Sequence, residues 1–242
     1  MKPRISLSYV IRVLFVWMLV TEALVNAVIL VHGRPEDKAV IKMGDGLILL
    51  WILVTGGLIL KFQYRIIPWL QGLRGDWRIK FVVMSTALIL WEEAITTIMT
   101  NLAPLFGVRI GQAYITASSN YFNVIFFHSV IIIAPMFVGW AILLFRYDFK
   151  PAEVFLLFGI TGTLAEASFG GVVQIGAFGF WIFVYGLMVW LPAKCVRRRE
   201  GLIKPKWYVY VLSVFFPNLF SIPFAIGAHI IHPSKIDFPS YR

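Results

Sequence analysis

Long apolar runs alternate along this chain with short segments that carry most of its charge. Seven runs have the length and character of bilayer crossings: Ser8–Val31, Val40–Leu60, Lys80–Thr100, Tyr121–Phe145, Ala152–Phe169, Val172–Leu191 and Trp207–Ile231. A helix needs about 20 mostly apolar residues to cross a hydrocarbon core about 30 Å thick. The pattern therefore predicts an all-α, polytopic integral membrane helix bundle. It has about seven transmembrane helices in a single transmembrane domain over residues 1–242. The second run is the weakest, because Lys42 and Asp45 confine its clean apolar stretch to Leu47–Leu60. The fifth and sixth are parted only by Gly170 and Gly171, which predicts a tight helical hairpin or a partly re-entrant pair. Residues 101–120 form a long non-spanning segment with Pro104, Gly107 and Gly111, expected to fold back as a lid over the outer face.

Composition supports the membrane assignment. The chain is 60% hydrophobic and 14% charged, whereas soluble domains sit near about 45–50% and about 25%. The net charge of +10 does not imply a nucleic-acid partner. The basic residues fall between apolar runs, where cytoplasmic loops concentrate lysine and arginine. Arg65, Arg74, Arg78, Lys150, Lys194, Arg197, Arg198 and Arg199 lie on one set of alternate segments. Arg34, Lys38 and Arg109 lie on the sparser opposite set. This asymmetry orients the N-terminus inside and the C-terminus outside. Lys2, Arg4 and the following apolar run with Val25 and Ala27 also resemble a signal peptide. The apolar stretch continues through Val28–Val31, so an uncleaved anchor is expected. The single cysteine, Cys195, allows no internal disulfide.

Against this background the side-by-side Glu92 and Glu93 stand out, slightly beyond the middle of the third run. One charge at the bilayer centre costs about 2.5–3.5 kcal/mol on insertion scales, so such groups face a protein-lined interior and do work there. A rise of about 1.5 Å per residue puts Glu92 about 18 Å above the inner boundary and Glu166 about 21 Å. By the same rise His128 lies about 12 Å below the outer boundary, at the depth of Glu92. Glu22 falls near the midplane with Asn26 one turn outward, and Asn123, Gln174 and His229 fall nearer the outer surface. On the third run Ser85 or Thr86, Glu92 or Glu93, Thr96 or Thr97, and Thr100 or Asn101 recur at helical spacing. They make one polar stripe on an otherwise apolar helix.

Two neighbouring carboxylates in oil cannot both stay ionised cheaply, so the pair is suited to hold a proton, to supply oxygen ligands to a cation, or to activate water. Glu22, Glu92, Glu93, Asn123, His128 and Glu166 are thus the candidate solute- or ion-binding groups. Glu92, Glu93 and His128 are the candidate catalytic groups if the chain is an enzyme. The leading expectation is binding or transport of a small solute, proton or cation through an outward-opening polar cavity in the cell membrane. The alternatives are an intramembrane hydrolase and a non-catalytic assembly subunit whose polar groups fix helix registry.

No metal or cofactor is specified by the sequence. His229 and His232 are three apart but have no third ligand fixed by spacing. HExxH, GxSxG and P-loop motifs are absent, and the last run holds no lysine for a retinal Schiff base. An acidic pair followed by a histidine in the next span resembles the intramembrane CAAX-type proteases. This chain has Thr97 where their pattern places a basic residue and Val124 where it places phenylalanine, so membership is not inferred.

Overall fold

The computed structural model describes residues 6–171, 173–196 and 200–238. The basic residues Lys2, Arg4, Arg197–Arg199 and Arg242, which contributed to the charge asymmetry, lie outside them, as does Val172 at the start of the expected sixth run.

The described residues form helices α1 (Leu7–His32), α2 (Pro35–Leu47), α3 (Gly56–Gly72), α4 (Trp77–Asn101), α5 (Tyr121–Phe127), α6 (Ser129–Arg146), α7 (Pro151–Gly170), α8 (Val173–Gly176), α9 (Phe178–Cys195), α10 (Trp207–Phe215) and α11 (Asn218–Ile231). A π-helical stretch, Ile48–Thr55, joins α2 to α3 without a break. Among the described residues, six helical segments are long and apolar enough to cross a membrane: Leu7–His32, Pro35–Gly72, Trp77–Asn101, Ser129–Arg146, Phe178–Cys195 and Trp207–Ile231. This is the build of a multi-pass helical membrane protein. The expected fifth run corresponds to α7, a helix of 20 residues.

Four runs differ from expectation in shape; of these, the sixth divides into α8 and α9 at Ala177, and the seventh into α10 and α11 at Phe216 and Pro217. The second does not end at Leu60 but continues as helix through Lys61 and Arg65 to Gly72. Lysine and arginine are good helix formers whose charged ends can reach the interface from an apolar stem. The fourth is not one helix. His128 has φ −126° and ψ −110°, outside the helical region, and separates α5 from α6.

The bundle is polar inside and apolar outside along α4. Ser85, Glu92, Glu93, Thr96, Thr97 and Thr100 are buried, while Val83, Trp91 and Ile98 on the other side are at least half exposed. In water this distribution would be unfavourable; in lipid, where hydrocarbon is the solvent, it is the stable arrangement. The peripheral α1 carries the same signature, with Met18 its one buried side chain and Leu24, Val28 and Val31 exposed.

Close packing of α7 on α9 organises the centre. An added Cβ at Gly159 would lie 2.7 Å from the Ile182 Cα, and one at Gly162 would lie 2.1 Å from the Tyr185 ring. Gly186 of α9 meets Phe155 of α7 at 2.7 Å in the same way. Lipid offers no hydrophobic drive between helices, so contact this close, permitted by missing side chains, supplies the attraction. Gly159, Thr163 and Ala167 lie at i, i+4 spacing on α7 and make a ridge of small residues, of which Gly159 lies in this seam. Thr163 is buried with its hydroxyl donated to the Gly159 carbonyl. Gly179 instead packs against Trp17, Leu14 and Met18 of α1, and a Cβ at Gly176 would meet nothing within 4 Å.

Polar contacts draw the turns into two groups. In one, the Gln71 amide donates to the Cys195 carbonyl, Lys194 donates to Gln63, and Tyr147 bridges Ile203. In the other, Asn101 donates to the Ser119 carbonyl, and the Asp237 amide donates to the Ala117 carbonyl.

Candidate functional site

The α4 stripe is held in register by the frame just described. Its N-cap is Asp76, whose carboxylate accepts from the Arg78 amide at 2.8 Å. From there the helix runs unbroken to Asn101. Adjacent residues on a helix differ by about 100° in direction, so Glu92 and Glu93 leave the same turn toward different neighbours.

Glu93 is well partnered. One of its carboxylate oxygens, Oε2, accepts from the Thr96 hydroxyl at 3.0 Å and from the Thr116 hydroxyl at 3.2 Å. Ser129, at the first turn of α6, approaches the same carboxylate. Thr116 belongs to the segment between α4 and α5. That segment folds back over the end of the helix, with the Ile115 amide donating to the Thr100 hydroxyl at 3.2 Å. The segment expected to fold back thus covers the C-terminal end of α4 and is bonded to Glu93.

Glu92 differs. It is 5% exposed, yet among the described residues its carboxylate has no hydrogen-bond or ion-pair partner. The groups that act on it electrostatically are Glu93 and Glu166. Glu166 arrives from α7, and its Oε1 accepts from the Tyr185 hydroxyl of α9 at 2.6 Å. Tyr185 can stand there because Gly162 leaves room for its ring. Three glutamates from two helices thus share one interior region with hydroxyl groups of Thr96, Thr116, Ser129 and Tyr185. No lysine, arginine or histidine is among the groups that act on them. The unpartnered buried hydroxyls of Ser85 and Thr97 lie on the same helix.

The remaining candidates gather elsewhere. His128 is buried, its Nε2 has no hydrogen bond, and its ring sits edge-on to His232 with centroids 5.3 Å apart. Asn123 donates to Asp237 at 2.5 Å, and the His232 Nε2 lies 3.5 Å from the same Oδ2. His128 and Asn123 therefore belong to a rim cluster with the C-terminal segment, apart from the glutamates. Glu22 forms a third group with Asn26 and Asp45, where the Asn26 amide donates to Asp45 at 3.0 Å and to Glu22 at 3.4 Å. Gln174 accepts from the Trp181 indole at 3.1 Å.

Sequence reasoning missed Tyr185, Thr116 and Ser129 as partners of the acidic groups, and Asp45 and Asp237 as partners of Glu22 and Asn123. Asp45 left a visible signal, as a charge inside an apolar run. Tyr185 left none, because a tyrosine among aromatic and aliphatic residues reads as packing. Among the described residues no three His, Cys, Asp or Glu side chains converge as a metal-ligand set. No family model, curated protein or solved structure matches the chain.

Proposed function

We propose that this chain is a seven-span protein of the cell membrane, N-terminus inside, that binds or carries a small solute, proton or cation. In this proposal Glu92, Glu93 and Glu166 are the responsive element. The observation that carries it is the condition of Glu92, enclosed in the bundle with only other acids acting on it. Holding an ion in the interior costs several kcal/mol even after relaxation, unless something neutralises it. With no basic side chain at hand among the described residues, the neutralising charge comes as a proton or a cation. Glu93, satisfied by hydroxyl groups, is the anchored member of the pair, and Glu92 is the exchanging one.

The seven-span count gains support from α7, a helix of 20 residues, and from the turns before α7 and after α9, which meet at Tyr147 and Ile203 as two crossings between them require. The hydrolase alternative has less behind it. It relied on His128 beside the glutamates, and that ring packs on His232.

The test is uptake into vesicles reconstituted with the purified protein. Replacing Glu92 and Glu93 together with Gln abolishes pH-dependent uptake if the pair is the responsive element. Unchanged uptake removes the pair from the mechanism. Loss of folding without loss of specific uptake in the surviving fraction assigns the pair to assembly alone.

A further inference from the structure

We propose a second binding site, independent of the glutamates, for the headgroup of an anionic phospholipid. It lies where the C-terminal ends of α6 and α9 meet the start of α7. A cavity of about 210 Å³ opens there, roughly seven times the 30 Å³ share of one water. Lys150 and Lys194 line it together with Tyr147 and Asp148, and Leu144 and Phe149 contribute apolar wall.

Four features select this ligand. First, among the described residues neither lysine forms an ion pair. Lys194 is held rather than neutralised, with its Nζ donating to the Gln63 amide oxygen at 2.6 Å and lying 4.1 Å from the Trp190 ring centre. Second, the acids nearby do not cancel the lysines. Glu153 is occupied, accepting from the Lys150 backbone amide at 2.7 Å and from the Tyr210 hydroxyl at 3.1 Å. Asp148 is a single carboxylate in the lining, available to accept from a headgroup hydroxyl. Third, the chain around the lining residues is basic, with the exposed Arg146 next to Tyr147 and the exposed Lys204 and Lys206 shortly after Leu202. Fourth, the level is that of a lipid headgroup. Helix ends converge here, and the exposed Trp207 and Tyr208 are the residue types that mark the boundary of hydrocarbon and water. Basic pockets between helix ends on the positively charged face suit such headgroups. The lysines take the phosphodiester, Asp148 takes a glycerol hydroxyl, and the apolar wall meets the first methylenes of the acyl chains.

The experiment measures thermal unfolding of the full chain in a neutral detergent as ligand is added. Short-chain phosphatidylglycerol is compared with phosphatidylcholine of the same chain length and with inorganic phosphate. Phosphatidylglycerol is expected to raise the midpoint saturably, with half-saturation shifted about fivefold per lysine removed in K150Q and K194Q. Because K194Q also loses the Gln63 contact, the exposed Lys150 carries the decisive comparison, with K150R restoring the response that K150Q loses. An equal rise with phosphatidylcholine, or an unchanged response in K150Q, overturns the site. A rise with inorganic phosphate that matches phosphatidylglycerol overturns the lipid as its occupant.

Discussion

Glu93 and Glu166 each accept from a hydroxyl brought from a distant segment, Thr116 and Tyr185, and the two contacts can be removed without changing shape. Thr116→Val deletes the hydroxyl that reaches Glu93 from the loop. Tyr185→Phe deletes the one that reaches Glu166. A hydrogen bond is worth about 0.5–1.5 kcal/mol net, and more to a charged partner. Each variant should therefore lose about 1–2 kcal/mol of stability, read as a lowered unfolding midpoint in detergent. Tyr185→Phe leaves the half-buried Glu166 without its hydroxyl partner, whereas Glu93 keeps Thr96, so it should be the costlier of the two. Equal midpoints for wild type and Tyr185→Phe would show that the 2.6 Å contact contributes nothing. At this scale the sequence was legible only in part. An acid inside an apolar run is visible because its cost is intrinsic to the residue. Its partner is invisible when it is a threonine in a loop or a tyrosine among phenylalanines, since neither breaks the local pattern. Hence Glu92, Glu93 and Glu166 could be read directly, and Thr116 and Tyr185 could not.

At the scale of helices, glycine positions divide sharply by what lies opposite. Gly162→Ala drives a methyl into the Tyr185 ring and should destabilise by about 1–3 kcal/mol, the usual cost of overpacking. The substitution also displaces the Tyr185 hydroxyl from Glu166. Gly57→Ala meets nothing within 4 Å and lies in a continuous helix. It should be neutral or stabilising by up to about 1 kcal/mol through helix propensity. The pair of midpoints, measured side by side, separates a packing role from a merely flexible one. The i, i+4 spacing of small residues on α7 marks Gly159 but not Gly162 or Gly186. Spacing identifies a small-residue ridge, but only the rotation of one helix against another decides which small residue faces the seam. The break at His128 was hidden for a similar reason. Apolar content is continuous across it, and nothing in hydropathy records a change of backbone direction. The π-helical Ile48–Thr55 is equally silent in composition. It is fixed from outside by Trp51, whose indole donates to the Val184 carbonyl at 2.9 Å, and by Trp91, which donates to the Thr55 hydroxyl at 3.0 Å.

For the whole molecule, the membrane character was the most legible property, because it rests on summed composition rather than on any one contact. Orientation can be measured directly. In a Cys195→Ala background, single cysteines replacing Lys38 or Arg109 should react with a membrane-impermeant maleimide added to intact cells. Cysteines replacing Lys150 or Lys204 should react only after permeabilisation. The reverse pattern would invert the topology, and a mixed pattern would change the number of crossings. Hydropathy did not reveal that six candidate residues separate into three groups. Depth along a helix can be counted from the sequence, but position around the bundle cannot. His128 and Glu92 share a level yet contact different neighbours for that reason.

The tie between Thr116 and Glu93 has one more implication. The same few residues that cover the C-terminal end of α4 also occupy an oxygen of its buried acid. Anything approaching from that side meets a stopper rather than an open vestibule. Under the proposed function, occupancy of the interior would keep time with the lifting of a single threonine, and the pace of exchange would belong to the cover more than to the chamber beneath it.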